Sequence, residues 1–444
     1  MKTMIHLSNQ LMQRFLPDPF LFVILLTFAV FGMGLIFTDS STMEMIHFWG
    51  DGFWGLLEFA MQMVLVLVTG HVLASSPVFK TLLGNLAKVA KTPGAAIMIV
   101  TIVSLLASWI NWGFGLVIGA LFAKELAKVV QHVDYRLLIA SAYSGFLVWH
   151  GGFSGSIPLS IATPGHPFED KIGVIPTSET LFSPYNLFII VALFIILPLL
   201  NRLMMPSKEQ TVTVDPANLE DPAHLVTGTT EAEETLTPAE KLEHSFIISL
   251  VVSILGIIFL IVYIYQNGFQ LNLNIVNFTF LIFGILFHWT PRRFLEAVTT
   301  AVKGAGGIII QFPFYAGIMG MMTASGLAAV MSEAFVSISN DFTFYLFAFL
   351  SGGLVNFFVP SGGGQWAVQA PIMLEAAQTL ELSSAKTAMA VSWGDAWTNM
   401  IQPFWALPAL AIAGLKAKDI MGFCIIVLFV SGFIIGLSML FIPV

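Results

Sequence analysis

The chain has 444 residues and a single cysteine, Cys424. One cysteine excludes a disulfide framework, and its place in an apolar run makes redox chemistry unexpected. Charge is also scarce, at 10% of residues. No HExxH, Walker A or dinucleotide-binding glycine pattern occurs, which disfavours a primary ATP-driven pump. The alternating strands of about ten residues that build an outer-membrane barrel are missing too.

What the chain has instead is apolar sequence in long runs. Hydrophobic residues make up 57% of it, and its mean hydropathy is +0.87. One crossing needs about 20 apolar residues, and many such runs are present. The expected class is an all-α polytopic membrane protein. Lys2 and Arg14 precede Pro17 and Pro19. The apolar run after them is too long for a signal-peptide core, so an uncleaved first span is expected.

In order, the expected spans are 20–37 and 53–73, with an acidic loop, 39–51, between them. Thr92 to Ala123 follows as 32 uncharged residues with SWINWGFG at their middle. A second uncharged run after Arg136 contains WHGGFSGSIP, and a span at 186–205 follows. Residues 206–243 hold nine acidic residues against two lysines and read as a solvated, partly disordered linker. Beyond it lie spans at 245–265, 273–289 and 304–327, the last ending at Leu327. Then come VNFFVPSGGGQWAVQAP inside 342–375, a run interrupted by WGDAWTNMIQPFW, and a last span at 420–442. Pro360 lacks an N–H and Gly362 to Gly364 bring no side chains, so a continuous helix is not expected there. Unwound backbone inside a bilayer costs several kcal/mol per unpaired group unless protein or a wet cavity surrounds it, so such a break usually serves a ligand.

The interrupted regions repeat. Asn111 precedes Pro158 by 47 residues, and Asn356 precedes Pro403 by 47. An offset of 245 also pairs Ser154 with Asn399 and His150 with Asp395. With a cytoplasmic N-terminus and re-entrant hairpins at 94–123 and 342–380, 16 of 18 Lys and Arg residues fall inside, leaving Lys171 and Lys386 outside. The expectation is therefore an inverted-topology repeat with two re-entrant hairpins and two broken transmembrane helices, nine crossings in all. Residues 1–205 form the first repeat, with hairpin 94–130, broken helix 137–163 and helix 186–205. Residues 206–243 form a cytoplasmic linker. Residues 244–444 add a connecting helix and the second repeat, with hairpin 342–380, broken helix 387–413 and helix 420–442. The C-terminus falls on the periplasmic side.

In this arrangement hairpin tips and helix breaks meet near the midplane. Helix N-termini offer partial positive charge and free N–H groups to an anion. Unwound carbonyls and Asn, Ser or Gln oxygens can hold a cation. The candidate substrate residues of the first half are Asn111, Gly113 and Gly115 at the tip, with Gly152, Ser154 and Ser156 at the break. Those of the second half are Asn356, Ser361, Gly362, Gly363, Gly364, Gln365 and Trp366, with Trp397 and Asn399. No Lys or Arg falls at midplane, which suits a small carboxylate. Trp109, Trp112, Phe357 and Phe358 could wall an acyl chain, though ordinary packing is the commoner role of such rings. Asp395 is the one carboxylate placed deep in a span, where charge is costly and usually functional. It is a candidate for ion coupling by H⁺ or Na⁺, or else a helix N-cap. His150 is its partner candidate, with a satisfied structural histidine as the alternative. No metal site, further cofactor or nucleic-acid partner is expected.

Two other readings stay open. Gly152-Phe153-Ser154-Gly155 matches the GxSG string of intramembrane serine proteases, but His150 is poorly placed as a base. A Gly-rich re-entrant loop can also be a channel filter, giving an anion channel or facilitator.

WGDGFW, INWGFG, GGFSGS, QFPFYAGI, VPSGGGQW and NMIQPFWALPALAIAGL together resemble the bacterial short-chain fatty acid transporters, nearly end to end. The resemblance implies cation-coupled uptake of monocarboxylates such as acetoacetate or butyrate across the bacterial inner membrane. That family is similar to a wider ion-transporter superfamily that includes dicarboxylate/sodium symporters. This implies a scaffold domain, a moving transport domain and a homodimer. The superfamily's Ser-Asn-Thr hairpin signature is replaced here by Ile110-Asn111-Trp112 and Pro360-Ser361-Gly362, which leaves the coupling ion open.

Overall fold

The computed structural model describes residues 19–215, 219 and 237–443. The basic start of the chain and most of the acidic linker lie outside the described residues. The described residues form helices and no strands. Seven of those helices are long and apolar enough to cross a membrane. Large apolar side chains such as Phe28, Ile36, Ile247 and Leu255 stand exposed on them, as lipid-facing spans require. The chain is an all-helical polytopic membrane protein.

Both halves follow one order of elements. The first begins with Pro19–Phe37, a short helix Thr42–Gly52, the span Leu57–Ala74 and a second short helix Pro77–Ala87. After the connecting helix Phe246–Asn267, the second half runs Leu273–His288, Pro291–Val302, Gly306–Ala324 and Leu327–Ile338. The four short helices correct the sequence reading, which has a loop at 39–51 and carries the third span to Leu327. Their start signals are local. Ser41 and Glu44 form a capping box. Pro77 and Pro291 each stand in a first turn, where a missing N–H costs nothing.

A hairpin follows in each half. The first is Pro93–Ile110 and Trp112–Val129, broken at Asn111 alone. The second is Phe344–Asn356 and Gly362–Thr379. Its break is confined to Phe357–Ser361, and the three glycines form the first turn of the second arm. Each half then has an interrupted helix. The first is Tyr135–Ser144, a 3₁₀ segment Gly145–Gly151 and, after a gap, Ser156–Ile161. The second is Ser384–Thr398, a gap, and Pro403–Ala413. Pro184–Leu203 and Ala417–Phe441 close the halves.

The halves are interleaved. Pro19–Phe37 and Thr42–Gly52 pack on Gly306–Ala324 of the other half. Leu273–His288 and Pro291–Val302 pack on Leu57–Ala74 in return. Pro403–Ala413 lies along the second arm of the first hairpin, and Ser156–Ile161 along the second arm of the second. Between lipid-embedded helices the apolar term favours no particular pairing, so small residues and polar bonds decide the contacts. Gly352 and Gly353 let the first arm of the second hairpin lie against Gly394; a Cβ on Gly352 would stand 2.8 Å from the Val391 carbonyl oxygen. Asn201 Nδ2 donates to Thr101 Oγ1 at 3.0 Å and to Ser144 Oγ at 2.9 Å, tying three helices of the first half.

The start of the linker is fastened rather than free. The Tyr135 N–H donates to the Val212 carbonyl at 2.8 Å, and the Val212 N–H donates to Asp134 Oδ2 at 2.9 Å. Arg136 bridges Asp134 and the Gln210 carbonyl. This pins 210–212 to the start of the first broken helix.

Candidate functional site

The second hairpin ends its first arm at Asn356, fully buried. Its Nδ2 lies 3.0 Å from the Asp395 carbonyl, 2.9 Å from Thr398 Oγ1 and 3.0 Å from Asn399 Oδ1. Asn399 Nδ2 turns back to Asp395 Oδ1 at 3.3 Å. Thr398 Oγ1 donates to the Gly353 carbonyl at 3.0 Å. Hairpin tip and helix break are thus one polar network. Asp395 lies in the last turn of Ser384–Thr398 and is not an N-cap. Helix polarity opposes a negative charge there, and burial opposes it further. Its Oδ2 has no hydrogen-bond partner among the described residues.

His150 comes to this network from the other half. Its Nδ1 lies 2.7 Å from the Ser392 carbonyl and 3.9 Å from Asp395 Oδ1. A carbonyl only accepts, so Nδ1 carries a hydrogen. His150 Nε2 is buried and unpartnered, and a Cβ on Gly362 would collide with it. The imidazole lies against Trp149, ring centroids 3.5 Å apart. Two positions that the 245-residue offset pairs in sequence are therefore neighbours across the two halves.

The first tip is built differently. Asn111 Oδ1 accepts the Phe114 N–H at 2.9 Å as an N-cap. Ser154 Oγ accepts the Trp112 N–H at 2.8 Å. The Phe153 N–H donates to the Trp109 carbonyl at 2.7 Å. At Gly152 a Cβ would stand 2.8 Å from Trp109 Cα, so only glycine permits this approach. The GGFSG segment thus docks the break onto the tip, and His150 makes no hydrogen bond to Ser154. Gly113 faces the Val66 and Leu67 carbonyls, Gly115 closes on Ser108, and Ser156 is buried at the start of its short helix.

The remaining sequence candidates divide. Ser361 Oγ caps the Gly364 N–H at 3.3 Å. Gln365 Nε2 donates to the Gly352 carbonyl at 2.8 Å and to Gln369 Oε1 at 3.0 Å, joining the two arms of the hairpin. Gly363 meets the rings of Phe59 and Phe312, and Gly364 meets Tyr315. Trp366 packs edge-on against Phe168 at 5.8 Å. Trp397 is turned to the last span. Its Nε1 donates to the Leu428 carbonyl at 2.7 Å, and its ring lies 4.9 Å from Phe349. Phe358 is exposed and 6.0 Å from Phe22.

A cavity of about 680 Å³ lies between the halves, reaching Gly113 and lined also by His71, Gln311 and Trp405. Among the described residues, no Asp, Glu, Lys or Arg lines it. Trp405 stands 5.4 Å from Trp112 and 6.2 Å from Trp149, so an aromatic cluster joins the cavity to the His150 imidazole. The sequence candidates for the site include none of Trp149, Trp405 and Gln311, which stand in quoted motifs, nor Tyr143, whose hydroxyl donates to the Asn399 carbonyl at 2.6 Å. Trp149 adjoins His150 and Trp405 ends the interrupted motif; those neighbours were the available signal.

A family model described as short chain fatty acid transporter matches residues 1–442. The chain belongs to that family. A relative from Escherichia coli (strain K12) is 48% identical over 433 residues, covering 97% of this chain and 98% of the relative. A relative from Haemophilus influenzae is 46% identical over 437 residues, covering 96% and 97%. Both are provisionally named short-chain fatty acid transporters. Among solved structures, the Alcanivorax borkumensis YdaH transporter, whose topology is described as unusual, is similar at a TM-score of 0.62 and 15% identity, over 95% of this chain and 97% of that one. Neisseria gonorrhoeae MtrF, described within a class of antimetabolite efflux pumps, is similar at 0.50 and 16%, over 98% and 96%. At those identities the likeness concerns the fold of the transporter alone.

Proposed function

We propose that this family member is a secondary active transporter that takes up short-chain monocarboxylates, such as acetoacetate or butyrate, together with a cation by alternating access. The observation that carries the reading is the buried meeting of two hairpins and two helix breaks around one carboxylate and one imidazole. A site with neutral donors and no fixed Lys or Arg can hold a carboxylate and release it again, because the charge is balanced only while a cation is bound. His150 and Asp395 serve that coupling, through H⁺ or Na⁺. The acyl chain lies along Trp149, Trp112 and Trp405, and the cavity beyond Trp405 is the route to it.

In the same reading the halves have opposite orientation, with the N-terminus in the cytoplasm and the C-terminus in the periplasm of a bacterial inner membrane. The interleaved spans Leu57–Ala74 and Gly306–Ala324 serve as scaffold for the moving hairpins. The assembly is a homodimer akin to the dicarboxylate/sodium symporters. Uptake of labelled butyrate into proteoliposomes under imposed H⁺ or Na⁺ gradients tests the reading. Saturable accumulation above equilibrium is expected with one gradient. Non-saturable flux that never exceeds equilibrium would convert the protein to a channel. Labelling single cysteines at Lys124 and Lys171 tests the orientation, since the two sites are expected on opposite faces.

A further inference from the structure

The two hairpin tips are alike in construction and differ in which N–H groups are left free. In the first, the Trp112 N–H is taken by Ser154 Oγ and the Phe114 N–H by Asn111 Oδ1. Gly113 between them faces the carbonyl oxygens of Val66 and Leu67, which repel an anion. Asn111 Nδ2 and the Trp109 and Trp112 indole N–H groups are left as neutral donors, with no imidazole beside them to add a charge. In the second tip Ser361 takes the Gly364 N–H with its hydroxyl and the Gln365 N–H with its carbonyl. The Gly362 and Gly363 N–H groups, adjacent and buried, find no acceptor among the described residues. An unpaired buried N–H costs about 1–3 kcal/mol, so two side by side are a poor resting arrangement unless a ligand takes them.

A second observation points to the same spot. His150, fully buried, aims an unpartnered Nε2 at Gly362. Its hydrogen is on Nδ1, toward the Ser392 carbonyl. In the neutral ring Nε2 is therefore a bare lone pair, which repels a carboxylate. Protonated at Nε2, the ring becomes a charged donor beside two backbone donors. Among the described residues, Asp395 is the one carboxyl facing the imidazole, 3.9 Å from Nδ1. On the elements packed around it, Tyr143 is bonded to the Asn399 carbonyl, Tyr185 to the Glu179 carbonyl and Lys386 to the Ile442 carbonyl. Pro93–Ile110 carries no titratable group. Lys124, Glu125, Lys128, Arg202 and Glu375 lie toward the helix ends far from the tips.

We propose that the second hairpin tip, and not the first, receives the substrate carboxylate, on the Gly362 and Gly363 N–H groups and a protonated His150 Nε2, so that one proton from solvent enters with each carboxylate. This rests on the transport reading above and names its coupling ion. The proton makes the site attractive to the anion, and by linkage the anion raises the site's hold on the proton. Neither crosses efficiently alone.

The test has two parts. Butyrate added to the purified, weakly buffered protein near neutral pH should draw in about one proton per bound anion, read with a pH dye. In His150→Gln, which keeps a neutral donor, butyrate should bind with no proton uptake. Its liposomes should exchange labelled for unlabelled butyrate yet lose accumulation driven by a pH gradient, by at least about tenfold. Wild-type binding without proton movement, or undiminished pH-driven accumulation by His150→Gln, would overturn the proposal. Saturable butyrate uptake driven only by Na⁺ would overturn it and leave the transport reading standing. Absence of any gradient-driven butyrate or acetoacetate uptake would remove both.

Discussion

The two hairpin tips occupy matching places in the chain and do different work. At the first, the neighbouring helix break supplies a hydroxyl, Ser154, that occupies the leading N–H of the second arm. At the second, the corresponding residue is Asn399, whose amide is turned instead to Asp395. The first tip is thereby closed by its own break, while the second keeps two N–H groups and gains an imidazole from across the molecule. In the proposal above, two tips of one plan become a one-sided anion site through one exchange of side chain, Ser154 for Asn399.

Five substitutions would break or sharpen that comparison. Gly362→Val should act most strongly, because a side chain there drives into His150; butyrate uptake should fall at least about 100-fold with the protein still monodisperse in detergent. Retained uptake would mean the imidazole does not stand at the second tip. Asn356→Ala removes a donor shared among three acceptors and should lower the thermal midpoint by the equivalent of about 2–3 kcal/mol. Its counterpart Asn111→Ala loses one N-cap bond, about 1 kcal/mol; equal losses would erase the difference between the tips. Ser154→Ala uncovers the Trp112 N–H. It should cost about 1 kcal/mol of stability and shift the butyrate KM less than about threefold; a tenfold rise would return the carboxylate to the first tip. Trp397→Phe should show the smallest effect. It gives up the bond to the Leu428 carbonyl, about 1 kcal/mol of stability, and should leave KM where it was.

Much of the architecture could be read from the sequence because the signals are local or one-dimensional. Pro360 and the flanking glycines mark the second hairpin break, and the uncharged run around Asn111 marks the first. The short amphipathic helices were harder. Thr42–Gly52 and Pro291–Val302 carry charges, and a scan for apolar runs reads charge as loop, although Ser41 with Glu44 and the Thr290-Pro291 pair are start signals. At the site, Asp395, His150, Asn356, Asn399 and Ser154 were all nameable from spacing. Their pairing was not. That Ser154 caps Trp112 while His150 reaches Ser392 depends on how two distant breaks cross, and a sequence offset carries no information on that. Trp397 shows the converse: it belongs to the interrupted motif by position, yet its side chain leaves the network for the last span.

The interleaving of the halves has a consequence for how the molecule is made. Pro19–Phe37 leaves the ribosome early, but the helix it rests on, Gly306–Ala324, follows some 270 residues later. At about 5–20 residues per second, that is on the order of tens of seconds spent in the bilayer with its intended neighbour unmade. During that interval the first span has only lipid, or the membrane-insertion machinery, to cover it. A run of almost uninterrupted apolar side chains is the composition that can wait there without cost.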